Sequence, residues 1–252
     1  MADRKPIIAG NWKENLTHTD AISLVQTLSY ELSDKDYARA DVVVCPPFTS
    51  LRSVELVLES DHIPIALGAQ NLHWEDEGAY TGEISGKFLK SLHCEYVIVG
   101  HSERRKYFNE TDETVNKRIA AALRNGLTPI VCVGETDEER TAGRTRDVIG
   151  TQLRDGLAGH DISKLVIAYE PVWAIGTGKA ATPEDANETI AFVRSTIGEI
   201  AGARVADGVR ILYGGSVSPG NIAQLMAQSE IDGALVGGAS LDPKSFAMIV
   251  KY

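Results

Sequence analysis

The chain has 252 residues, 43% hydrophobic and 24% charged, which predicts a single globular domain over residues 1–252 with a sizeable core. A formal net charge of −10 argues against a nucleic-acid partner and against an anionic membrane surface, but it allows a small anionic substrate at a locally positive site. Three cysteines without CxxC spacing argue against a disulfide scaffold, and no apolar run approaches the ~18 residues of a membrane span, so we expect a cytoplasmic protein.

Eight short apolar runs, rich in Val and Ile, recur along the chain and predict β-strands. They cover residues 6–9, 41–45, 63–67, 96–99, 128–133, 165–169, 209–213 and 233–236. Most of the runs are continuous rather than alternating. Continuous apolar runs are typical of parallel strands that are covered on both faces.

Helical patterns lie between the predicted strands. Thr19 and Asp20 precede the first of them, Thr111 can cap a helix that Gly126 ends, and residues 182–185 combine a cap, a proline and two acids. Strand–helix alternation repeated eight times predicts an α/β protein with a parallel sheet, which closes readily into a single (β/α)8 barrel. An open doubly wound sheet stays the alternative on periodicity alone.

Residues 71–82 (NLHWEDEGAYTG) form a connection that is long for a strand-to-helix loop and carries Trp74 and Tyr80. One interpretation is a surface loop. The other is a protruding arm that buries its aromatic side chains in a second subunit.

The loops after barrel strands carry the chemistry, because all the strand carboxyl ends open on one face. Two glycine-rich segments, 213–216 (YGGS) and 236–240 (VGGAS), follow the last two predicted strands. Glycines let backbone N–H groups approach an anion, and these loops are the usual phosphate site of a barrel. The sequence therefore indicates a phosphorylated small molecule, although tight turns would also explain the glycines.

Three ionisable residues follow other strands. Glu170 ends an apolar strand, where loss of water would make it a stronger base. His101 precedes a predicted helix start, whose N-terminus disfavours the imidazolium form, so a neutral imidazole could donate to a carbonyl oxygen. Lys13 shares a strand face with Asn11 and could neutralise a phosphate or an oxyanion, or else form a Schiff base.

Residues 171–179 read as a lid over the ligand, with a stiff entry and hinge glycines at 176 and 178. Segment 176–179 (GTGK) lacks the rest of a nucleotide-binding loop.

No HExxH motif, paired Cys/His spacing or carboxylate cluster indicates a metal, so we expect no metal and no cofactor. We interpret the five histidines other than His101 as surface residues.

Seven motifs taken together resemble those of the triosephosphate isomerases, from residue 8 to about residue 246. The motifs are GNWK at 10–13, AQN at 69–71, GAYTGEIS at 78–85, VGHSERR at 99–105, AYEPVWAIGTGKAAT at 168–182, YGGSV at 213–217 and LVGGASL at 235–241. The resemblance implies a single (β/α)8 barrel and a homodimer joined through residues 71–82. It also implies interconversion of dihydroxyacetone phosphate and D-glyceraldehyde 3-phosphate in glycolysis and gluconeogenesis.

The resemblance also implies roles for individual residues. Glu170 would be the base that takes the carbon-bound proton, and His101 the neutral electrophile that polarises the carbonyl oxygens. Lys13 and Asn11 would bind substrate and stabilise the enediolate. Backbone groups would hold the phosphate at Gly176, Ser216, Gly237 and Gly238.

Two positions depart from the family pattern: Glu14, where an apolar residue is usual near the expected dimer contact, and Asn109. Two rival functions remain at this stage. One is a phosphate-binding aldolase that uses Lys13 as a Schiff base, and the other is a barrel that only binds ligands. The intact set of Lys13, His101 and Glu170 argues against the second.

Overall fold

A computed structural model describes residues 4–174 and 181–252. Its eight strands are parallel and form a closed barrel in which each strand pairs with its neighbours in the chain and the last pairs with the first. The strands are β1 (Ile7–Asn11), β2 (Asp41–Cys45), β3 (Ala66–Ala69), β4 (Tyr96–Val99), β5 (Thr128–Val133), β6 (Val166–Tyr169), β7 (Arg210–Tyr213) and β8 (Gly233–Val236). The closed barrel confirms the predicted fold and excludes the open sheet.

Helices connect the strands along the described parts of the chain. The α-helices are α1 (His18–Glu31), α2 (Asp34–Arg39), α3 (Phe48–Ser60), α4 (Gly86–Ser91), α5 (Ser102–Tyr107), α6 (Asp112–Arg124), α7 (Asp137–Thr141), α8 (Thr145–Gly156), α9 (Pro183–Ala201), α10 (Ala203–Gly208), α11 (Ile222–Met226) and α12 (Pro243–Val250). Short 3-10 helices lie at Ile162–Lys164, Val172–Ala174 and Gly238–Leu241. Throughout these described ranges, we find no helix with the length and apolar character needed to cross a membrane.

The strands are apolar along their whole length because both of their faces are covered. Ile7 and Ala9 of β1 belong to the cluster that fills the barrel, whereas Ile8 between them packs in the larger cluster under the helices. Alternate residues of β2 divide in the same way. Two-sided burial therefore explains the continuous runs that predicted a parallel sheet.

The predicted helix signals are confirmed in α6 and α9. The Thr111 hydroxyl accepts from the backbone N–H of Thr114 at 3.3 Å, and Gly126 follows the helix with a φ of 68°. Thr182 caps α9 with Pro183 in the first turn. The first helix begins earlier than expected, because Thr17 caps it.

The third strand is shifted from its predicted position at 63–67 to Ala66–Ala69. His62 has a φ of 52° and Pro64 follows two residues later, so the chain is still turning where the apolar run begins. Ile65 is buried just before the strand, which is why its apolar character resembled strand sequence. The shift places Gln70 directly after the strand, at the mouth of the barrel.

Candidate active site

A cavity of about 260 Å³ opens at the carboxyl ends of the strands. All the predicted site residues in the described ranges line it: Asn11, Lys13, His101, Glu170, Ser216, Gly237 and Gly238. Gly176, and with it the predicted lid tip and hinge, lies outside the described residues. The loops after β1, β4, β6, β7 and β8 thus bring the acidic, basic, imidazole and glycine positions to one place.

His101 and Glu170 are in direct contact at the floor of this cavity. The Nε2 atom of His101 lies 2.9 Å from Oε1 of Glu170, and both side chains are buried. The other carboxylate oxygen of Glu170 accepts from the backbone N–H of Ser102 at 2.9 Å. Both oxygens of Glu170 are therefore held by the first residues of the α5 segment.

The hydrogen bonds of His101 indicate which ring nitrogen carries a proton. His101 caps α5, and its Nδ1 accepts from the backbone N–H of Glu103 at 3.2 Å. An accepting Nδ1 must have a free lone pair, which leaves the proton on Nε2, facing Glu170. Burial opposes the charged form, but the Glu170 carboxylate raises the pKa of His101 above its usual value. The helix start therefore favours the neutral ring, and the carboxylate acts against it.

The pKa of Glu170 differs from the sequence-based expectation. Burial does raise it, as predicted, but His101, the Ser102 N–H and Lys13 together hold the pKa of this carboxyl below its usual value. The expectation of a stronger base is wrong for this arrangement, because the interactions with His101, Ser102 and Lys13 together outweigh desolvation.

Lys13 occupies a backbone conformation that is unusual for a residue with a side chain. Its φ is 54°, which costs about 1 kcal/mol or more. Two neighbours hold it there: Oδ1 of Asn11 accepts from the Lys13 N–H at 3.1 Å, and Nε2 of Gln70 donates to the Lys13 carbonyl at 2.8 Å. The Lys13 ammonium in turn lies 2.5 Å from Oε1 of Glu103. The two hydrogen bonds stabilise this strained backbone conformation, in which Lys13 lines the cavity.

The two glycine pairs are required for different reasons. A Cβ on Gly214 would lie 2.9 Å from Cγ of Glu170, and one on Gly215 only 2.3 Å from the Tyr213 hydroxyl. The second pair has open space, since a Cβ on Gly237 would reach no closer than 3.5 Å to Lys13. Gly214 therefore makes room for Glu170 and Gly215 for the Tyr213 ring, whereas the second pair leaves open space beside the start of the 3-10 helix Gly238–Leu241.

Glu135, just after β5, is a further buried carboxylate next to the site. Glu135 is fully buried and accepts from the Tyr169 hydroxyl at 3.2 Å and from the indole N–H of Trp173 at 3.0 Å. It thereby fixes the segment that follows Glu170. The sequence signal for Glu135 was the same as for Glu170, because each is a carboxylate that follows an apolar strand.

The interpretation of the remaining histidines as surface residues is wrong for His73. That side chain is buried, and its ring lies 4.4 Å from the Trp74 ring and 4.6 Å from the Tyr80 ring. His93 is exposed but lies 2.8 Å from a carboxylate oxygen of Glu55. The contact of His93 joins residues 38 positions apart, a spacing that carries no sequence signal.

Comparison with known proteins agrees with the geometry of the site. The family model described as triosephosphate isomerase matches residues 6–252. A triosephosphate isomerase of Moorella thermoacetica is 59% identical over 252 residues, covering 99% of each chain. One of Caldanaerobacter subterraneus subsp. tengcongensis is 56% identical, covering 99% of this chain and 100% of the relative, and one of Mycobacterium avium is 54% identical, covering 98% and 95%. The predicted resemblance is confirmed, and the chain belongs to the triosephosphate isomerase family.

Proposed function

We propose that Glu170, His101 and Lys13 carry out the reaction of this isomerase, which interconverts dihydroxyacetone phosphate and D-glyceraldehyde 3-phosphate. The observation that carries the proposal is the buried contact between His101 Nε2 and Glu170 Oε1, beside a cation and two glycine-rich loops. A base, a hydrogen-bond donor and an anion-binding backbone are what proton transfer next to a carbonyl requires.

Substrate binding would separate Glu170 from its present partners. The carboxylate then takes the proton from the carbon next to the carbonyl, and its pKa rises because it no longer accepts from His101 and Ser102. His101 donates Nε2–H to the carbonyl oxygen instead of to Glu170, and this exchange removes the carboxylate that raised its pKa. His101 passes its Nε2 proton to the former carbonyl oxygen and takes up the proton of the neighbouring hydroxyl, while Glu170 returns its proton to the adjacent carbon. The ketone substrate thereby becomes the aldehyde isomer, and both side chains regain their starting protonation states.

Two parts of the cavity suit the phosphate of the substrate and the oxyanion that develops during the reaction. Gly237, Gly238 and Ser216 line the cavity, with open space beside the two glycines, so their backbone N–H groups can bind the phosphate, as that of Gly176 would by resemblance. Lys13 lies between these loops and His101, where its charge stabilises the phosphate and the developing enediolate. Binding of the phosphate, away from the reacting carbons, then holds the substrate in place for proton transfer.

The Schiff-base alternative for Lys13 is disfavoured by its partner. A Schiff base forms from the neutral amine, whereas the Lys13 nitrogen lies 2.5 Å from the Glu103 carboxylate, the contact of an ammonium ion. Borohydride treatment in the presence of dihydroxyacetone phosphate should leave Lys13 unmodified. Covalent trapping of the substrate on Lys13 would support the aldolase instead.

Replacing the proposed base gives the direct test. Glu170→Gln keeps the size of the side chain but removes the base, so turnover of dihydroxyacetone phosphate in a coupled assay should fall by about 10²-fold or more. Affinity for a phosphorylated analogue, measured by calorimetry, should stay within a few-fold. Glu138→Gln, an exposed acid on α7, is the control and should match the unmodified protein. High residual turnover with lost analogue binding would contradict the assignment.

The homodimer joined through residues 71–82 also belongs to this proposal. Within this arm Tyr80 is 45% exposed, and on α5 and just after it Tyr107 and Phe108 are 64% and 63% exposed. If the arm of one subunit packs against Tyr107 and Phe108 of the other, it covers apolar surface next to the His101 loop. Sedimentation should give twice the 27.2 kDa chain mass, and Tyr80→Asp should lower the dimer fraction. A fully active monomer would contradict the proposal.

We further propose a single catalytic domain over residues 1–252 that acts in the cytoplasm as part of glycolysis and gluconeogenesis. Cys45, Cys94 and Cys132 are all free and buried, as expected in a reducing compartment. Cell fractionation with an activity assay tests the location. Recovery of the activity outside the cytoplasmic fraction would contradict it.

A further inference from the structure

At the opposite end of the barrel, three metal-ligating side chains come together. Glu55 and Glu59 lie one turn apart on α3, and His93 lies in the turn before β4. One ligand atom from each lies within 4.8 Å of the other two. The closest pair is Nδ1 of His93 and Oε1 of Glu55, at 2.8 Å.

Glu55 is the fixed member of this group. Its side chain is 3% exposed, and Nη1 of Arg52 lies 2.5 Å from its Oε2. The guanidinium holds one carboxylate oxygen, so the other keeps its direction toward His93. Glu59 and His93 are exposed, which leaves a path from solvent to the three ligand atoms.

The surroundings add negative charge and space. A cavity of about 300 Å³ adjoins the group, with Glu95 as a further carboxylate and an apolar wall of Leu58, Ile65 and Leu67. The carboxylates of Glu55, Glu59 and Glu95 outnumber the Arg52 guanidinium that pairs with Glu55. This excess of negative charge attracts a dication. One imidazole with two carboxylates suits Zn²⁺, Co²⁺ or Ni²⁺ better than Ca²⁺ or Mg²⁺, which prefer oxygen ligands only.

We propose that Glu55, Glu59 and His93 bind a divalent first-row transition metal of the Zn²⁺ class. The metal takes the place of the hydrogen between Nδ1 of His93 and Oε1 of Glu55. The neutral ring then carries its hydrogen on the solvent-exposed Nε2, and water completes the coordination.

Such a metal would join α3 to the turn before β4 and stabilise the folded chain, because His93 is far from Glu55 and Glu59 in the unfolded chain. The site lies at the amino ends of β3 and β4, since Ile65 and Glu95 immediately precede these strands. The catalytic cavity lies at their carboxyl ends. Metal binding here is therefore independent of substrate turnover.

Calorimetric titration of metal-stripped full-length protein with Zn²⁺ tests the site. We expect one ion per chain and an affinity about tenfold or more weaker in His93→Asn and in Glu59→Gln. The ion should also raise the thermal unfolding midpoint of the unmodified protein, and much less in these variants. Isomerase activity without added metal should be unchanged in both, which shows that they fold.

His62→Asn is the matched control, because His62 is an exposed histidine with a φ of 52°, close to the 57° of His93. Its affinity for Zn²⁺ should equal that of the unmodified protein. Absence of binding to the unmodified protein overturns the proposal, as does undiminished binding to His93→Asn. Binding that is lost in His101→Asn instead would place the metal in the catalytic cavity and also overturns it.

Discussion

Glu103 contacts both His101 and Lys13, the side chains that we propose to bind the carbonyl oxygen and the phosphate. Its backbone N–H donates to Nδ1 of His101, and its carboxylate holds the Lys13 ammonium. The main chain of one residue thus sets the tautomer of the imidazole, while its side chain positions the cation. We therefore expect Glu103 to be a positioning residue, which acts on the substrate through Lys13.

Glu103→Gln separates these two effects. The backbone contact with His101 is kept, but Lys13 loses its ionic partner and becomes free to move, so we expect kcat to fall by about tenfold. KM should change much less, since the cation itself is retained. Steady-state assays measure both constants. Glu14→Gln, which neutralises the exposed acid next to Lys13, is the control, and an equal loss of kcat there would contradict the positioning role.

At this scale the sequence predicted which residues meet but not how they meet. Lys13, His101 and Glu170 could be identified because each follows an apolar strand. The pKa of Glu170 could not, because it depends on hydrogen bonds from residues 68 and 69 positions away. The group of Glu55 and His93 was missed for the same reason, since 38 positions separate them.

Helix starts were the most predictable elements. A threonine hydroxyl before an apolar helical pattern accepts from the backbone N–H three residues later. The starts of α6 and α9 could therefore be placed from the local sequence alone. The start of β3 was harder to predict. It depends on the turn at His62, whose positive φ is a backbone conformation that a non-glycine residue does not signal in the sequence.

The capping of α6 can be tested by removing one hydroxyl. Thr111→Val keeps the shape of the side chain but leaves the N–H of Thr114 without its acceptor, so unfolding free energy should fall by about 1 kcal/mol. Urea denaturation at constant protein concentration measures the change. Thr151→Val, at an exposed position inside α8, should cost clearly less. Equal costs for the two would show that the cap contributes nothing.

The molecule as a whole is closed by the pairing of β8 with β1. Gly233 begins β8 with a φ of 142°, and a Cβ there would lie 1.9 Å from the carbonyl oxygen of Ile7. Asp232 next to it is buried and is held by Arg4 at 2.6 Å and by Arg194 at 2.7 Å. The seam between β8 and β1 therefore depends on Gly233 and on the buried ion pairs of Asp232.

Gly233→Ala should be among the most damaging small substitutions in this chain. The added methyl group forces β8 away from β1, so we expect a loss of about 2–4 kcal/mol in unfolding free energy. Gly208→Ala, where a Cβ meets nothing within 4 Å, is the control and should be close to neutral. Thermal and chemical denaturation compare the two, and a stable Gly233→Ala protein would contradict the close approach at the seam.

The same seam has a consequence for synthesis on the ribosome. β1 emerges before the other seven strands, yet its second neighbour is completed only at Val236. Until then the nascent sheet has two open edges whose peptide groups can pair with another chain. We therefore expect barrel closure to follow translation, and chaperones that shield extended segments to protect the early strands.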